Sequence, residues 1–151
     1  ERYLSTLAVL DYFADKNDDT LILHDAARPV IEEPIISKLI ETMDTYHAAT
    51  VAIKTVDTII QSKNHQVISG VFDRSELFNV QTPQAFRFSV LRKAYQLALQ
   101  NKYFQASDDS SIIFKYLPNE PIAIVEGNPL NIKLTYPHDF SLLEKHFLSH
   151  K

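Results

Sequence analysis

The stretch Leu21-Ile22-Leu23-His24-Asp25-Ala26-Ala27-Arg28-Pro29-Val30 constrains this chain more than any other. Leu21 to Leu23 form an apolar run too short for a helix, preceded by polar Asn17-Asp18-Asp19 and followed by a proline. That pattern predicts a buried strand of a parallel sheet. The acid and the base that follow then lie past the carboxyl end of the strand. In open α/β sheets ligands bind in the crevice beyond the strand tips, which makes Asp25 and Arg28 candidates for chemistry. The same pair fits an internal ion pair closing a loop, and the pattern alone does not choose between the two.

The bulk properties narrow the possibilities. With 151 residues and 45% hydrophobic content the chain is long enough for one domain with a substantial core. A net charge of −4 leaves no general basic surface, which argues against nucleic acid as a partner while permitting a local positive pocket. The chain has no cysteine, so disulfides, zinc thiolates and thiol catalysis are excluded. No apolar stretch approaches the ~20 residues needed to cross a bilayer and no basic-then-apolar leader is present, so the expectation is a cytoplasmic protein with no membrane partner. Gly70 and Gly127 are the only glycines. Phosphate-cradling loops need several glycines for close backbone approach, and neither a Walker loop nor a GxGxxG turn occurs here.

Read in order, the chain alternates helices and strands. Tyr3 to Ala14 has helical spacing of Leu4, Leu7, Leu10 and Phe13. After the strand Thr20–His24, a helix is expected from Pro34, with Glu32 and Glu33 favouring its amino end, through Ile35, Leu39 and Met43 to about Tyr46. Ala49 to Val56 is the next strand, completing a βαβ unit. Thr58–Gln61 and Gln66–Ser69, around a polar Ser62-Lys63-Asn64-His65 turn, predict a hairpin projecting from the sheet. Such a ribbon is marginal alone, which makes residues 59–76 the candidate dimerisation arm. Leu77 to Gln81 returns as a strand, Phe88 to Asn101 is an amphipathic helix, and Ser107-Asp108-Asp109 reads as a helix cap. Pro121 to Glu126 and Asn131 to Thr135 are extended, and a helix follows from His138. The fold class expected is α/β, a Rossmann-like, mostly parallel sheet flanked by helices, with a projecting β-arm.

Polar residues gather at the ends of the extended segments: Asp25 and Arg28, Asp57 and Thr58, Arg74 and Thr82, Lys133 and Thr135. Two guanidinium forks, an ammonium and several hydroxyls suit a phosphate, since arginine matches phosphate oxygens bidentately and lysine supplies a compact charge. An adjacent acid suits a divalent cation. The six histidines show no metal-site spacing, and His24 reads as a structural residue satisfied by backbone. The serines lack a GxSxG elbow.

The same residues resemble a known family. His24-Asp25-Ala26-Ala27-Arg28-Pro29 is similar to a signature of the bacterial methylerythritol-phosphate cytidylyltransferases (the IspD family), and the other loops follow in that family's order. Asp57-Thr58 resembles its Asp-Thr after a strand, Asp73-Arg74 its Asp-Arg after the arm, and Gln81 to Phe86 its Thr-Pro-Gln-x-Phe. Ser107-Asp108-Asp109-Ser110-Ser111 resembles its Thr-Asp-(Asp/Glu)-Ala-Ser, with serine in place of the threonine. Val125-Glu126-Gly127 with Asn131-Ile132-Lys133-Leu134-Thr135 is similar to its Val-x-Gly…Asn-Ile-Lys-x-Thr. Glu1-Arg2 and Ser5 resemble the Arg-x-x-Ser that opens a helix after a Gly-Gly pair. A related ribitol-phosphate cytidylyltransferase more often carries Asp-Ser-Val-Arg-Pro in the first loop.

The resemblance implies transfer of CMP from CTP to methylerythritol phosphate, with Mg²⁺ as cofactor and a homodimer joined through the arm. It implies that Lys133 stabilises charge on the α-phosphate and that Arg28 shares the catalytic role. Asp25, Arg28, Thr58, Thr82, Ser107 and Thr135 would bind the polyol phosphate, with Arg74 supplied across the dimer. Ser5, Ala26 and Lys133 would line the nucleotide, and Asp25 would orient the polyol or hold the metal. The family's glycine-rich triphosphate loop, its basic Arg and its Pro-Lys-Gln segment have no counterpart among these residues. The resemblance therefore implies that residues 1–151 correspond to the latter two thirds of such an enzyme and are not active alone; the alternatives are a ribitol-5-phosphate cytidylyltransferase and an inactive fragment that serves only for binding or dimerisation.

Overall fold

The computed structural model describes residues 2–15, 19–105 and 107–149. Glu1, Asn17 and Asp18, which figured in the sequence reading, lie outside the described residues, as does the side chain of Arg2. The elements are α1 (Arg2–Tyr12), β1 (Thr20–Leu23), α2 (Glu33–Thr42), β2 (Ala48–Lys54), β3 (Ile60–Gln61), β4 (Gly70–Val71), β5 (Phe78–Arg87), α3 (Phe88–Leu99), α4 (Asp109–Tyr116), β6 (Ile122–Glu126) and α5 (Pro137–Ser149). Among the described residues no helix is long and apolar enough to cross a membrane.

The main sheet has the order β1-β5-β2-β6. β2 and β6 pair in parallel, whereas β5 runs antiparallel to both β1 and β2. Three of its four strands therefore share one direction, and the α/β sheet flanked by helices is the expected one. The finer details differ. β1 is an edge strand among the described residues, with Ile22 40% exposed, rather than a strand buried between parallel neighbours. The expected βαβ unit is split, because β5 inserts between β1 and β2.

Alternation along the strands builds a core on each face. Ala48 and Phe86, paired across β2 and β5, pack against Phe88, Leu91, Tyr95, Ile112 and Ile113 of α3 and α4. Their neighbours Ala49 and Ala85, with Val51 and Val125, pack against Ile35 and Leu39 of α2 and Met43 just past its end. Successive side chains on a strand point to opposite faces, so short alanines on β2 let a helix approach from either side. Phe86, Leu39 and Tyr95 are essentially inaccessible, and each such side chain contributes about 1.5–3 kcal/mol. Inside this core the Tyr95 hydroxyl donates to Asp109 Oδ1 at 2.7 Å.

The hairpin is present but displaced. Ile60 pairs with Val71 and Gln61 with Gly70, so the returning strand is Gly70–Val71 and not residues 66–69. Polar groups explain the shift: Asn64 Oδ1 accepts from the backbone N–H groups of Gln66 and Val67, and Ser62 Oγ donates to the Val67 carbonyl. This local network closes a wider turn than the four polar residues suggested. Residues 131–135, expected to be extended, form no strand and instead run across the strand tips as a loop.

Gly127, just after β6, donates its N–H to the Ala52 carbonyl at 3.0 Å. A Cβ there would collide with Gln81 Oε1 and approach Val51 Cγ1 at 2.8 Å. Gln81 cannot easily move, since its amide nitrogen donates to the Asn128 carbonyl at 2.9 Å. Gly127→Ala is thus expected to destabilise the fold by about 1–3 kcal/mol, measured as a lower urea midpoint in chemical unfolding.

Candidate active site

β5 carries an irregularity where it passes β2. Thr50 lies opposite Gln84 and Ala52 opposite Val80, so Gln81-Thr82-Pro83 fit extra residues into the ladder. A bulge bends its strand and re-aims side chains, and Pro83 has no N–H to give to a regular ladder. The consequence is that three buried polar side chains fan out from the bulge: Thr82 toward the loop after β1, Gln81 toward Asn128, and Gln84 toward Thr50 and Asp108.

The loop 24–29 is folded onto that bulge. Asp25 N–H donates to Thr82 Oγ1 at 3.0 Å, and His24 Nδ1 lies 3.0 Å from the same hydroxyl. His24 Nε2 stands 2.9 Å from the Arg28 carbonyl, and Arg28 N–H donates to the Asp25 carbonyl, closing a tight turn. The 131–135 loop is tied to both. Arg28 Nη1 donates to the Asn131 carbonyl at 2.6 Å, Leu134 N–H to the Ala27 carbonyl at 2.8 Å, and buried Asn131 Nδ2 to the Thr82 carbonyl at 2.8 Å. Arg28 and Lys133 are thereby held on either side of one carboxylate: Lys133 Nζ is 3.1 Å and Arg28 Nε 3.9 Å from Asp25 Oδ2. Two cations are thus set around the Asp25 carboxylate, and Asp108 brings a second carboxylate to the same hollow.

These groups border a hollow of about 270 Å³ lined by Asp25, Arg28, Thr82, Gln84, Ser107 and Lys133. A second hollow of about 240 Å³ adjoins it through Asp25 and is lined by Ser5, Thr6, His24, Ala26 and Asp109. Four of the expected substrate residues, Asp25, Arg28, Thr82 and Ser107, thus meet Lys133 at one hollow, and Ser5 and Ala26 meet at its neighbour. Thr58, Arg74 and Thr135 line neither. Arg74 Nη1 donates to the Val56 carbonyl at the base of the arm, exposed Thr58 lies on the loop that leads into the arm, and Thr135 Oγ1 donates to the Lys133 carbonyl.

Asp108 acts in two ways at once. It caps α4, accepting from Ser111 N–H at 3.0 Å in a reciprocal capping box, and its second oxygen accepts from Gln84 Nε2 at 2.7 Å. Because a carboxylate only accepts, this contact fixes the Gln84 amide with its nitrogen toward Asp108 and Thr50. Gln84 Oε1 has no partner among the described residues. Gln84, His24 and Asn131 were missed as site residues. Gln84, next to Ala85-Phe86, and Asn131, between Leu130 and Ile132, are buried polar groups beside apolar neighbours, and that placement is the signal that could have identified these two.

For a divalent cation the described residues offer little. No three histidine, aspartate or glutamate side chains come together among them, and Asp25 already faces two cations. A magnesium ion here would take most of its ligands from phosphate oxygens and water, with Asp25 as the nearby carboxylate.

Comparison with known proteins places these loops in context. The family model described as "IspD: 2-C-methyl-D-erythritol 4-phosphate cytidylyltransferase" matches residues 1–148. A 2-C-methyl-D-erythritol 4-phosphate cytidylyltransferase of Bifidobacterium longum (strain DJO10A) is 39% identical over 151 residues, which is 96% of this chain and 52% of that protein. The bifunctional ribulose 5-phosphate reductase/CDP-ribitol pyrophosphorylase Bcs1 of Haemophilus influenzae is 42% identical over 151 residues, 99% of this chain and 32% of its own length. Among solved structures, the 4-diphosphocytidyl-2C-methyl-D-erythritol synthase of Anaerococcus prevotii superposes with a TM-score of 0.88 at 27% identity, covering 98% of this chain and 67% of that one. The chain spans about half the length of the curated relatives it matches.

The Lys133 loop is anchored at its far end by Asp139, in the first turn of α5, which accepts from Tyr136 N–H at 2.7 Å and Thr135 N–H at 2.8 Å. These backbone donors hold the Asp139 carboxyl below its ordinary value, helped by His138. The stabilisation is therefore complete above the ordinary aspartate value and is lost as pH falls through the lowered one. Asp139→Ala is expected to unfold at lower urea than the parent near neutrality, with the difference closing in acid; a difference independent of pH would contradict this anchoring.

Proposed function

Because the chain belongs to the IspD family of 2-C-methyl-D-erythritol 4-phosphate cytidylyltransferases, we propose that it forms the polyol-phosphate half of a site that transfers CMP from CTP. In this reading an oxygen of the methylerythritol 4-phosphate attacks the α-phosphorus of CTP, the α–β bridging P–O bond breaks, and pyrophosphate leaves. The observation that carries the proposal is the meeting of Arg28, Lys133 and Thr82 with Asp25 around one hollow.

The geometry suits the chemistry. Phosphoryl transfer asks little covalent work of a protein and depends on positioning and charge neutralisation. The Arg28 guanidinium, fixed by the Asn131 carbonyl, is ready to receive a phosphate without being reordered, which saves side-chain entropy on binding. Lys133 is half exposed at the mouth of the hollow, so its ammonium can leave Asp25 and turn to the charge that builds on the α-phosphate. Asp25 keeps both cations oriented before substrate arrives and then accepts from a polyol hydroxyl. Ser107, at the capped start of α4, and Thr82 supply hydroxyls to the substrate. Ser5 and Ala26 face the cytidine side, and Thr135 steadies the Lys133 loop. Mg²⁺ bound to the triphosphate would draw charge from the leaving pyrophosphate.

The arm belongs to the same proposal. Ile60, Val67, Ile68 and Val71 are all more than half exposed on it, an apolar surface suited to a second copy of the chain. Thr58 and Arg74, near the base of the arm and outside the hollow, would enter the partner's site in such a homodimer. The protein would act in the cytoplasm.

A specific observation favours a second substrate, ribitol 5-phosphate: the 42% identity to the Haemophilus influenzae protein named for CDP-ribitol. The first loop, Asp25-Ala26-Ala27-Arg28-Pro29, is the feature that places methylerythritol phosphate first. The deciding experiment uses a protein that carries these residues together with the glycine-rich loop of the family. It supplies CTP, Mg²⁺ and either polyol phosphate, and measures pyrophosphate. Release with methylerythritol phosphate alone is expected, and release with ribitol phosphate alone would transfer the assignment. Lys133→Ala should lower kcat by on the order of 10²-fold or more, and an unchanged kcat would remove its role. Residues 1–151 alone are expected to release no pyrophosphate above background; turnover by them would mean that the triphosphate loop is dispensable.

A further inference from the structure

We infer that Asp108, held in place by Gln84, is a specificity-determining residue: it accepts a hydrogen bond from a hydroxyl of the polyol chain and so separates a polyol phosphate from phosphate alone. The inference rests on the phosphate-pocket reading above.

It follows from the donors and acceptors at the corner of the hollow where Gln84 of β5 meets the start of α4. Gln84 lines the hollow and is completely buried. Its amide nitrogen carries two N–H groups, and both are spent, one on Asp108 Oδ2 at 2.7 Å and one on Thr50 Oγ1 at 2.9 Å. None is left for a ligand. The remaining atom, Gln84 Oε1, has no partner among the described residues and can only accept. Asp108 likewise only accepts. The Ser107 hydroxyl lies 3.4 Å from Asp108 Oδ1 and 3.3 Å from Ser111 Oγ, so its proton is drawn to the helix cap. A corner built of acceptors gives a phosphate oxygen no bond and a hydroxyl a ready one.

The two carboxylates of the hollow therefore differ in kind. Lys133 Nζ and Arg28 Nε stand 3.1 and 3.9 Å from Asp25 Oδ2, whereas no lysine or arginine pairs with Asp108 among the described residues. Its oxygens are oriented by neutral donors instead: Ser111 N–H holds Oδ1 at 3.0 Å, and Gln84 holds Oδ2. A carboxylate oxygen accepts more than one bond, which leaves Oδ2 room for a hydroxyl. Bonds to an ionised acceptor are the strong ones, and an acceptor fixed before the ligand arrives needs no further ordering. The hollow is thus polarised. Arg28 and Lys133 attract a phosphate, while Asp108 repels it and attracts a hydroxyl. A polyol phosphate satisfies both ends and inorganic phosphate only one.

The test compares the binding of 2-C-methyl-D-erythritol 4-phosphate and of inorganic phosphate to the full protein by calorimetry, without divalent cations, so that no metal ion stands between Asp108 and the ligand. Asp108→Asn keeps a residue that caps a helix as well as aspartate does, but it removes the charge and puts an N–H where an acceptor stood. It is expected to weaken the polyol phosphate roughly tenfold and to bind inorganic phosphate no less tightly than the parent. Gln84→Met, close in volume, releases Asp108 Oδ2 from its holder and should weaken the polyol phosphate about threefold, with inorganic phosphate unchanged. This second variant carries the test if the first fails to fold. Variants that bind the polyol phosphate as the parent does overturn the inference, and so does an equal loss for both ligands, which a purely structural role would produce. In either case, phosphate binding that is lost in Arg28→Ala leaves the pocket reading standing. Inorganic phosphate bound equally by Arg28→Ala and the parent overturns both.

Discussion

Arg28 Nη1 and the carbonyl of Asn131 are joined by a 2.6 Å hydrogen bond between residues 103 positions apart, and the site depends on that contact. It fastens the loop beyond β1 to the loop that precedes α5, and Asn131 in turn donates to the Thr82 carbonyl in the β5 bulge. Three segments distant in sequence become one rim. Bonds to charged donors are worth about 1.5–3 kcal/mol, enough to hold a surface loop in one conformation when several act together. Together with the Leu134 N–H bond to the Ala27 carbonyl and the Asp139 anchor, this fastening holds Lys133 close to Asp25.

The sheet explains why the rim stands where it does. β5 is the one strand of the main sheet that runs against the others, and it carries the site's bulge between β1 and β2. Alanines on β2 allow helices on both faces, and the site lies beyond the strand tips. Stability and function are separated along β5 itself. Ala85 and Phe86 serve the two cores, while Gln81, Thr82 and Gln84 a few positions earlier serve the hollow.

The short apolar run ending in His24-Asp25-Ala26-Ala27-Arg28-Pro29 was sufficient to place Asp25 and Arg28 at a strand tip, because strand length and proline are local properties. The edge position of β1 was not legible, since pairing partners depend on tertiary contacts that no single segment encodes. The hairpin was foreseen from alternation, but its register was set by Asn64 and Ser62 hydrogen bonds that periodicity does not register. Lys133 and Thr82 were singled out as polar residues at the ends of extended segments, but that they share one hollow was not legible, as nothing in their own surroundings brings residues 51 apart together. Asp108 was read as a cap, and it is one, yet the same carboxylate also orients Gln84 at the hollow. His24 was read as satisfied by backbone, and its Nε2 does stand 2.9 Å from the Arg28 carbonyl, while its Nδ1 meets Thr82 at the hollow.

The central claim is that these three loops form a single receptor for the phosphate of a polyol phosphate. It is tested most directly by a crystal structure of the protein with 2-C-methyl-D-erythritol 4-phosphate. The account predicts the phosphate in the hollow among Arg28, Thr82 and Lys133, with a polyol hydroxyl on Asp25. A phosphate bound elsewhere, with Asp25 still clasped by Arg28 and Lys133 in the ligand-bound protein, would contradict it.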